Sequence, residues 1–394
     1  MAHPNRRQFL QFIAASLGTV TLNSLLHQAN RSAKILAQTT PRKLALLVGI
    51  NQYPFQPLAG CLNDLELQRH LLIHRFGFNP KDILVVADSQ ATRNGILTAF
   101  EDHLIKQAKT GDIVVYHYSG HGSRIFDPHP IFRSPDNEEL NGTFVPIDGE
   151  LPPGYPNAGG AVKDIMGHTL FLLMSALKTE NVTVILDSCF AGGATRDVQV
   201  RSRDGGQKVL VSNLEKAYQE RFLFQLNLTP EAFISAYRTG VAKGVVLAAS
   251  AHNQLAREMN INGASCGLFS YLLTHYLWQE NSNIEQIFPK IYAEIPLIFK
   301  QIPRYEVKVG SNYHLQSPYF IATASSPAQA VVTEVRGNMA KVWLGGVDLR
   351  QVNPSMVLTG IDGKGKVRVR SRNGLVAQTN IEEEVQEGAL LEVR

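Results

Sequence analysis

The chain has 394 residues, 44% of them apolar and 18% charged, a globular composition with room for one large domain or two ordinary ones. Its net charge of +4 lies wholly in residues 1–37, where Arg6, Arg7, Arg31 and Lys34 meet no acid; the remainder carries 34 basic against 34 acidic residues. A neutral body argues against a nucleic-acid partner, and three cysteines, Cys61, Cys189 and Cys266, are too few for a disulfide framework or a tetrahedral zinc cage.

The first segment, NRRQFLQFIAASLGTVTLNSLL, is basic and then moderately apolar, too polar for a membrane span in the mature chain. Arg6 and Arg7 followed by Phe9 and Leu10 read as a twin-arginine export signal, with a cut after Ala37, which implies a periplasmic or other extracytoplasmic protein. The alternative is a cytoplasmic basic leader or a single anchoring helix.

From residue 43 to 322 strand and helix signals alternate, the pattern of a mostly parallel α/β sheet flanked by helices. Apolar, β-branched runs at 43–50, 82–87, 112–118, 182–187 and 244–250 are of the kind buried on both faces. Helical patterns fall near 64–75, from a Thr92 cap to a Gly111 stop, near 164–178, and at 267–277 and 283–300; residues 313–322 supply a last strand. Residues 192–212, rich in glycine and basic side chains, read as a loop. They belong to a linker, 193–243, between a large part (43–192) and a small part (244–322). Beyond Pro327 the character changes to short β runs with Gly and Asn turns, so 328–394 reads as a separate small all-β module.

Two strand ends carry the chemistry. The run VVYHY ends in Ser119-Gly120-His121-Gly122, and the run VILD ends in Asp187-Ser188-Cys189. In parallel α/β sheets the carboxyl ends of strands converge on the site, which would bring His121 to Cys189. A thiol is mostly protonated at neutral pH, so a nucleophilic cysteine needs a basic partner and a partly exposed position. Backbone N–H groups of Gly122 and Cys189 are the candidate donors to an oxyanion. Cys266, without such a setting, reads equally well as a small buried hydrophobe.

Asp187 precedes Cys189 by two positions, and Asp64 opens the helix after the first strand. Two carboxylates beside a cleft draw a cationic side chain, and a guanidinium pairs with them in fork geometry. Asp64 would also serve as a helix cap.

The full setting, VVYHYSGHG and VILDSCFAGG together with LLVGINQY and GCLND, resembles the metacaspases, and among them the prokaryotic orthocaspases, over residues 43–322. The resemblance implies a caspase-like fold and a cysteine endopeptidase with a Cys189 and His121 dyad. It maps a basic-side-chain pocket onto Cys61, Asp64, Ser119 and Asp187, implying cleavage of proteins or peptides after Arg or Lys. It also makes Arg196, Arg201, Arg203 and Lys208 candidates for self-cleavage, their alternative role being to solvate a loop. Asp136 and Asp164 match two positions of the calcium site found in many metacaspases, but Lys163 and Arg196 intrude on it, so no metal or other cofactor is expected to be required. The family resemblance also implies a monomer. Two rivals stand: a legumain-like or paracaspase-like peptidase of other specificity, and a catalytically silent scaffold whose β module recruits a partner.

Overall fold

The computed structural model describes residues 41–127, 130–131, 139–189, 200–251, 254–321 and 325–394. The leader, Asp136 and Arg196 lie outside these. Among the described residues no helix is long and apolar enough to cross a membrane.

In chain order the elements are β1 (Lys43–Gly49), α1 (Cys61–His74), β2 (Ile83–Ala87), α2 (Arg93–Ala99, widening into a π turn over Phe100–Ile105), β3 (Ile113–Ser119), β4 (Gly122–Phe126), β5 (Leu140–Phe144), β6 (Gly160–Val162), β7 (Ile165–Met166), α3 (Gly167–Ala176) and β8 (Asn181–Asp187). Then come β9 (Gly206–Val211), α4 (Asn213–Gln225), α5 (Pro230–Arg238), β10 (Val245–Ala248), β11 (Glu258–Ile261), β12 (Ala264–Gly267), α6 (Leu268–Gln279), α7 (Ile284–Glu294) and β13 (Arg304–Val307). The main sheet runs β13-β10-β8-β3-β1-β2, parallel except for β13 at its edge. Its central strands β1, β3 and β8 are buried along almost their whole length because helices cover both faces, which is why they read as continuous apolar runs. A second sheet, β6-β9-β4-β5-β7, grows from the chain that leaves β3.

The remaining strands, β14 (Ala330–Arg336), β15 (Met339–Trp343), β16 (Val357–Gly360), β17 (Lys366–Asn373), β18 (Val376–Glu383) and β19 (Leu390–Val393), close into an antiparallel barrel. Its interior side chains, among them Val331, Val342, Leu358 and Leu391, join one apolar cluster with Leu272 and Trp278 of α6. Trp343 stacks on His70 of α1 with ring centroids 4.3 Å apart. The module therefore shares its core with the sheet domain.

Several sequence expectations need correction. The last sheet strand among the described residues is β13, not 313–322, whose described residues form a short 3-10 turn over Tyr313–Leu315. RYEV alternates between exposed and half-buried on the sheet edge, so it lacks the apolar run of a central strand. The helix expected over 283–300 stops at Glu294, just before Pro296, since a residue preceding proline is driven out of the helical region. The helix expected from 164 starts at Gly167, because Ile165 and Met166 pair with β5. The supposed linker is partly regular: β9 pairs with β4 and β6, and α4 and α5 follow, capped by the side chains of Ser212 and Thr229.

Candidate active site

The parallel register sets Gly49 beside Ser119 and Ser119 beside Asp187, so β1, β3 and β8 end flush. Two residues past that rung stand His121 and Cys189. Across this end lies the segment 200–203, which no apolar run announced. Val200 bridges to Arg257 and Ser202 to Gly122.

The carbonyl of Arg201 accepts hydrogen bonds from the backbone N–H of Gly122 and of Cys189, each at 3.0 Å. Both candidate oxyanion donors thus point at one peptide carbonyl of the chain itself. Close approach here requires glycine, because a Cβ on Gly122 would lie 1.7 Å from the carbonyl oxygen of Cys189.

The Arg201 side chain turns into a fully buried acidic pocket. Its Nη2 is 2.6 Å from Asp64 Oδ2 and 3.4 Å from Glu258 Oε2; its Nη1 is 3.1 Å from Asp187 Oδ1 and 2.8 Å from Ser119 Oγ. The carboxylates are themselves oriented: Asp64 accepts from Ser119 Oγ (2.7 Å) and from the Gly267 N–H (2.9 Å), and Asp187 accepts from the Ser270 N–H (2.9 Å). Asp64 is therefore a pocket wall and not a cap; Gly60 occupies the cap position of α1 without a side-chain bond. Three carboxylates facing one guanidinium are more negative charge than a buried site holds easily. Burial raises the Asp64 carboxyl to about 7, against the opposing pull of Arg201. Cys61 lies against the same charges; burial pushes its thiol to about 12 and Arg201 works against that.

Sequence reasoning found Cys61, Asp64, Ser119 and Asp187, and the structure brings them together around one side chain. It missed Glu258 and Gly267. Glu258 sits on the short hairpin β11–β12 with no neighbouring motif to mark it. Gly267 is needed for room: a Cβ there would fall 2.5 Å from Arg201 Nη1 and 2.2 Å from Asp187 Oδ2.

The His121 ring packs against Tyr53 and Phe55, with centroids at 4.5 and 5.8 Å. Its Nε2 is 2.7 Å from the Gln56 carbonyl, which can only accept, so Nε2 carries the proton and Nδ1 is the free base. Nδ1 is buried and has no hydrogen-bond partner. Cys189 Sγ accepts from the Ala256 N–H at 2.8 Å and lies 3.4 Å from the Ala256 carbonyl. The sequence called for a partly exposed thiol; instead both His121 and Cys189 are 0% exposed, His121 against Tyr53 and Phe55 and Cys189 against Ala256 and the Arg201 carbonyl. Burial lowers His121 to about 4 and raises Cys189 to about 12, so both are uncharged in the intact chain.

The other expected residues separate. Arg203 does not solvate a loop: it is 2% exposed and forks onto Asp164, with Nη1 and Nη2 each 2.8 Å from a carboxylate oxygen. Lys208 is exposed, its Nζ donating to the Pro156 carbonyl at 2.8 Å. Asp164, one of the two positions matched to calcium, has a guanidinium across both oxygens, and Lys163 reaches Asp148 at 3.2 Å. Among the described residues no cluster of three metal-ligating side chains forms. These residues do not fit a divalent cation.

Among known proteins the chain is similar in sequence to metacaspases. Metacaspase-1 of Schizosaccharomyces pombe is 26% identical over 298 residues, 65% of this chain and 66% of the relative; Metacaspase-8 of Arabidopsis thaliana is 35% identical over 165 residues, 40% and 39%. The chain thus spans less than two thirds of the length of either relative. Among solved structures, a protein from Geobacter sulfurreducens aligns over 72% of this chain and 100% of its own, with 19% identity and a TM-score of 0.49. The family described as Caspase domain matches residues 42–313, from the first core strand past the last. By that match, the chain belongs to the caspase domain family of cysteine-type peptidases.

Proposed function

We propose that this protein is a monomeric cysteine endopeptidase that cuts after Arg or Lys, with Cys189 as nucleophile and His121 as base, and that its first substrate is its own Arg201–Ser202 bond. One observation carries this reading: Arg201 has its guanidinium among Asp64, Asp187 and Glu258 and its carbonyl on the Gly122 and Cys189 N–H groups. A side chain gripped on one side of a polarised carbonyl, beside a thiol, is the arrangement a basic-specific thiol peptidase requires of its substrate.

In the first step the Cys189 thiol gives its proton to His121 Nδ1, and sulfur attacks the Arg201 carbonyl carbon. The negative charge moves to the carbonyl oxygen, where the two N–H donors hold it; losing one such donor costs about 3 kcal/mol of transition-state stabilisation. Collapse breaks the C–N bond, and the His121 proton goes to the departing Ser202 amine. Water, deprotonated by His121, then hydrolyses the thioester, leaving an Arg201 carboxylate and restoring the thiol. The twin-arginine reading of Arg6 and Arg7 adds export to an extracytoplasmic compartment, tested by the distribution of an Arg6→Lys, Arg7→Lys variant between cell fractions.

The deciding assay uses fluorogenic Arg, Lys, Asn and Asp peptides with the wild type and Cys189→Ala, alongside amino-terminal sequencing of the fragments. Hydrolysis of the Arg and Lys peptides alone, lost in Cys189→Ala, and a new fragment starting at Ser202 are expected. Equal turnover of Asp peptides, or fragments that persist in Cys189→Ala, would refute the reading.

A further inference from the structure

Arg203 lies two residues past the proposed cut, on the leaving side, and its burial has no part in the reaction just described. Its guanidinium forks onto both oxygens of Asp164 at 2.8 Å, donates to Ser123 Oγ at 3.1 Å and reaches the Gly149 carbonyl. Asp164 is 1% exposed and is aimed by Thr143, whose hydroxyl donates to Oδ2 at 2.6 Å, while Arg93 donates to its backbone carbonyl at 3.0 Å. The backbone is fixed too: the Arg203 N–H donates to the Gly122 carbonyl at 2.9 Å, on the very residue whose N–H holds the Arg201 carbonyl at 3.0 Å. Two buried guanidinium pockets therefore flank one peptide bond, in a register set by Gly122.

We propose that the Asp164 pocket is a leaving-side subsite that selects substrates with a guanidinium two residues after the cut bond, so that the enzyme recognises Arg-Xaa-Arg and not a lone Arg. The inference rests on the peptidase reading above. Any substrate must displace residues 200–203 to reach the Asp64–Asp187 pocket, and the same displacement takes Arg203 out. After a cut at Arg201–Ser202, residues 202–205 keep a covalent link only through β9. Asp164 is then a buried carboxylate without its cation, and burial already raises its pKa with Arg203 in place. A planar fork refills that site in a way a single ammonium does not.

The test uses two internally quenched peptides with the strap's own sequence from Val200 to Asp204, one with Arg and one with Ala in the place of Arg203, plus an arginyl-coumarin reporter that has no residue past the cut. Self-processed wild type should cleave the Arg peptide with a kcat/KM at least tenfold above the Ala peptide. Asp164→Asn should bring that ratio toward one; because the ratio is taken within one preparation, the folded fraction cancels. Reporter turnover with equal kcat/KM for the two peptides in the wild type overturns the subsite and leaves the peptidase reading standing. An Asp164→Asn enzyme that keeps the wild-type ratio also overturns it. No turnover of the reporter overturns both.

Discussion

If the 200–203 strap closes the site through Arg201, removing that side chain should expose the nucleophile by a calculable factor. The comparison is His121→Ala against His121→Ala/Arg201→Ala. Neither protein can cut itself, and both hold a Cys189 thiol with no histidine beside it, so intrinsic thiol reactivity cancels. Arg201 engages Asp64, Asp187 and Glu258 at 2.6, 3.1 and 3.4 Å, all fully buried. Removing one partner of a buried ion pair costs about 3–5 kcal/mol, here drawn from the closed state, because the three carboxylates are left facing one another. At tenfold per 1.4 kcal/mol that favours the open strap by about a hundred- to a few thousand-fold. Iodoacetamide labelling followed by mass spectrometry reads it, with Cys266, buried in the apolar core, as internal standard. The rate at Cys189 should rise by that factor in the double variant while Cys266 stays slow. Equal Cys189 labelling in the two proteins would show that Arg201 does not hold the strap.

Other consequences can be checked with ordinary assays. Asp64→Asn and Asp187→Asn should each lower kcat/KM on an Arg reporter at least a hundredfold, since each removes one charge from the guanidinium pocket; retention of half the activity by either would contradict the assignment. Burial raises Asp64 to about 7, so the pocket gains negative charge as pH climbs through that value, and KM for an Arg reporter should fall between pH 6 and 8; a flat KM would rule this out. Acid should unfold the chain early. Burial lowers His70 to about 3 and His117, His121 and His168 to about 4, against about 6.5 in an unfolded chain, so their stabilisation is present above 6.5 and lost as pH falls. His74 and His275, also lowered, add to this, while Asp64 and Asp164, both raised by burial, take up protons in the folded state and work against it. Each histidine left uncompensated contributes a limiting slope of about 1.4 kcal/mol per pH unit. Urea midpoints of Cys189→Ala that do not move between pH 7 and 5 would refute it.

The central strands were legible because burial on both faces of a parallel sheet forces an uninterrupted apolar run, and β1, β3 and β8 have one. The candidate site residues at their ends were legible because Ser119, His121, Asp187 and Cys189 follow those runs at fixed offsets. What could not be read was tertiary. Arg201 and Arg203 sit among glycines and polar residues with no period, and a basic side chain in such a stretch is ordinarily solvated. Their burial depends on carboxylates at Asp64, Asp164, Asp187 and Glu258, which are far away in sequence. Edge strand β13 and linker strand β9 were missed for a related reason: each buries little of itself, so neither carries an apolar signature.

If the proposed self-cleavage occurs, the arrangement also bears on which molecule cuts which. In the intact chain the Arg201 carbonyl already rests on the donors of its own site, and what is unfinished is local: the thiol lies 3.4 Å from the Ala256 carbonyl, and His121 Nδ1 has no partner. For the cut to begin the S–H must turn from the Ala256 carbonyl toward His121 Nδ1, while the Ala256 N–H at 2.8 Å steadies the sulfur as its charge develops. Cutting between two molecules would instead require the strap to leave both sites, at about 3–5 kcal/mol for each Arg201 withdrawn from its carboxylates. Self-processing should therefore be unimolecular. The half-life of freshly refolded chain should stay constant over a hundredfold dilution, and Cys189→Ala chain mixed with active enzyme should remain intact on the same time scale. A half-life that lengthens in proportion to dilution would mean that the strap opens far more readily than its buried ion pairs allow.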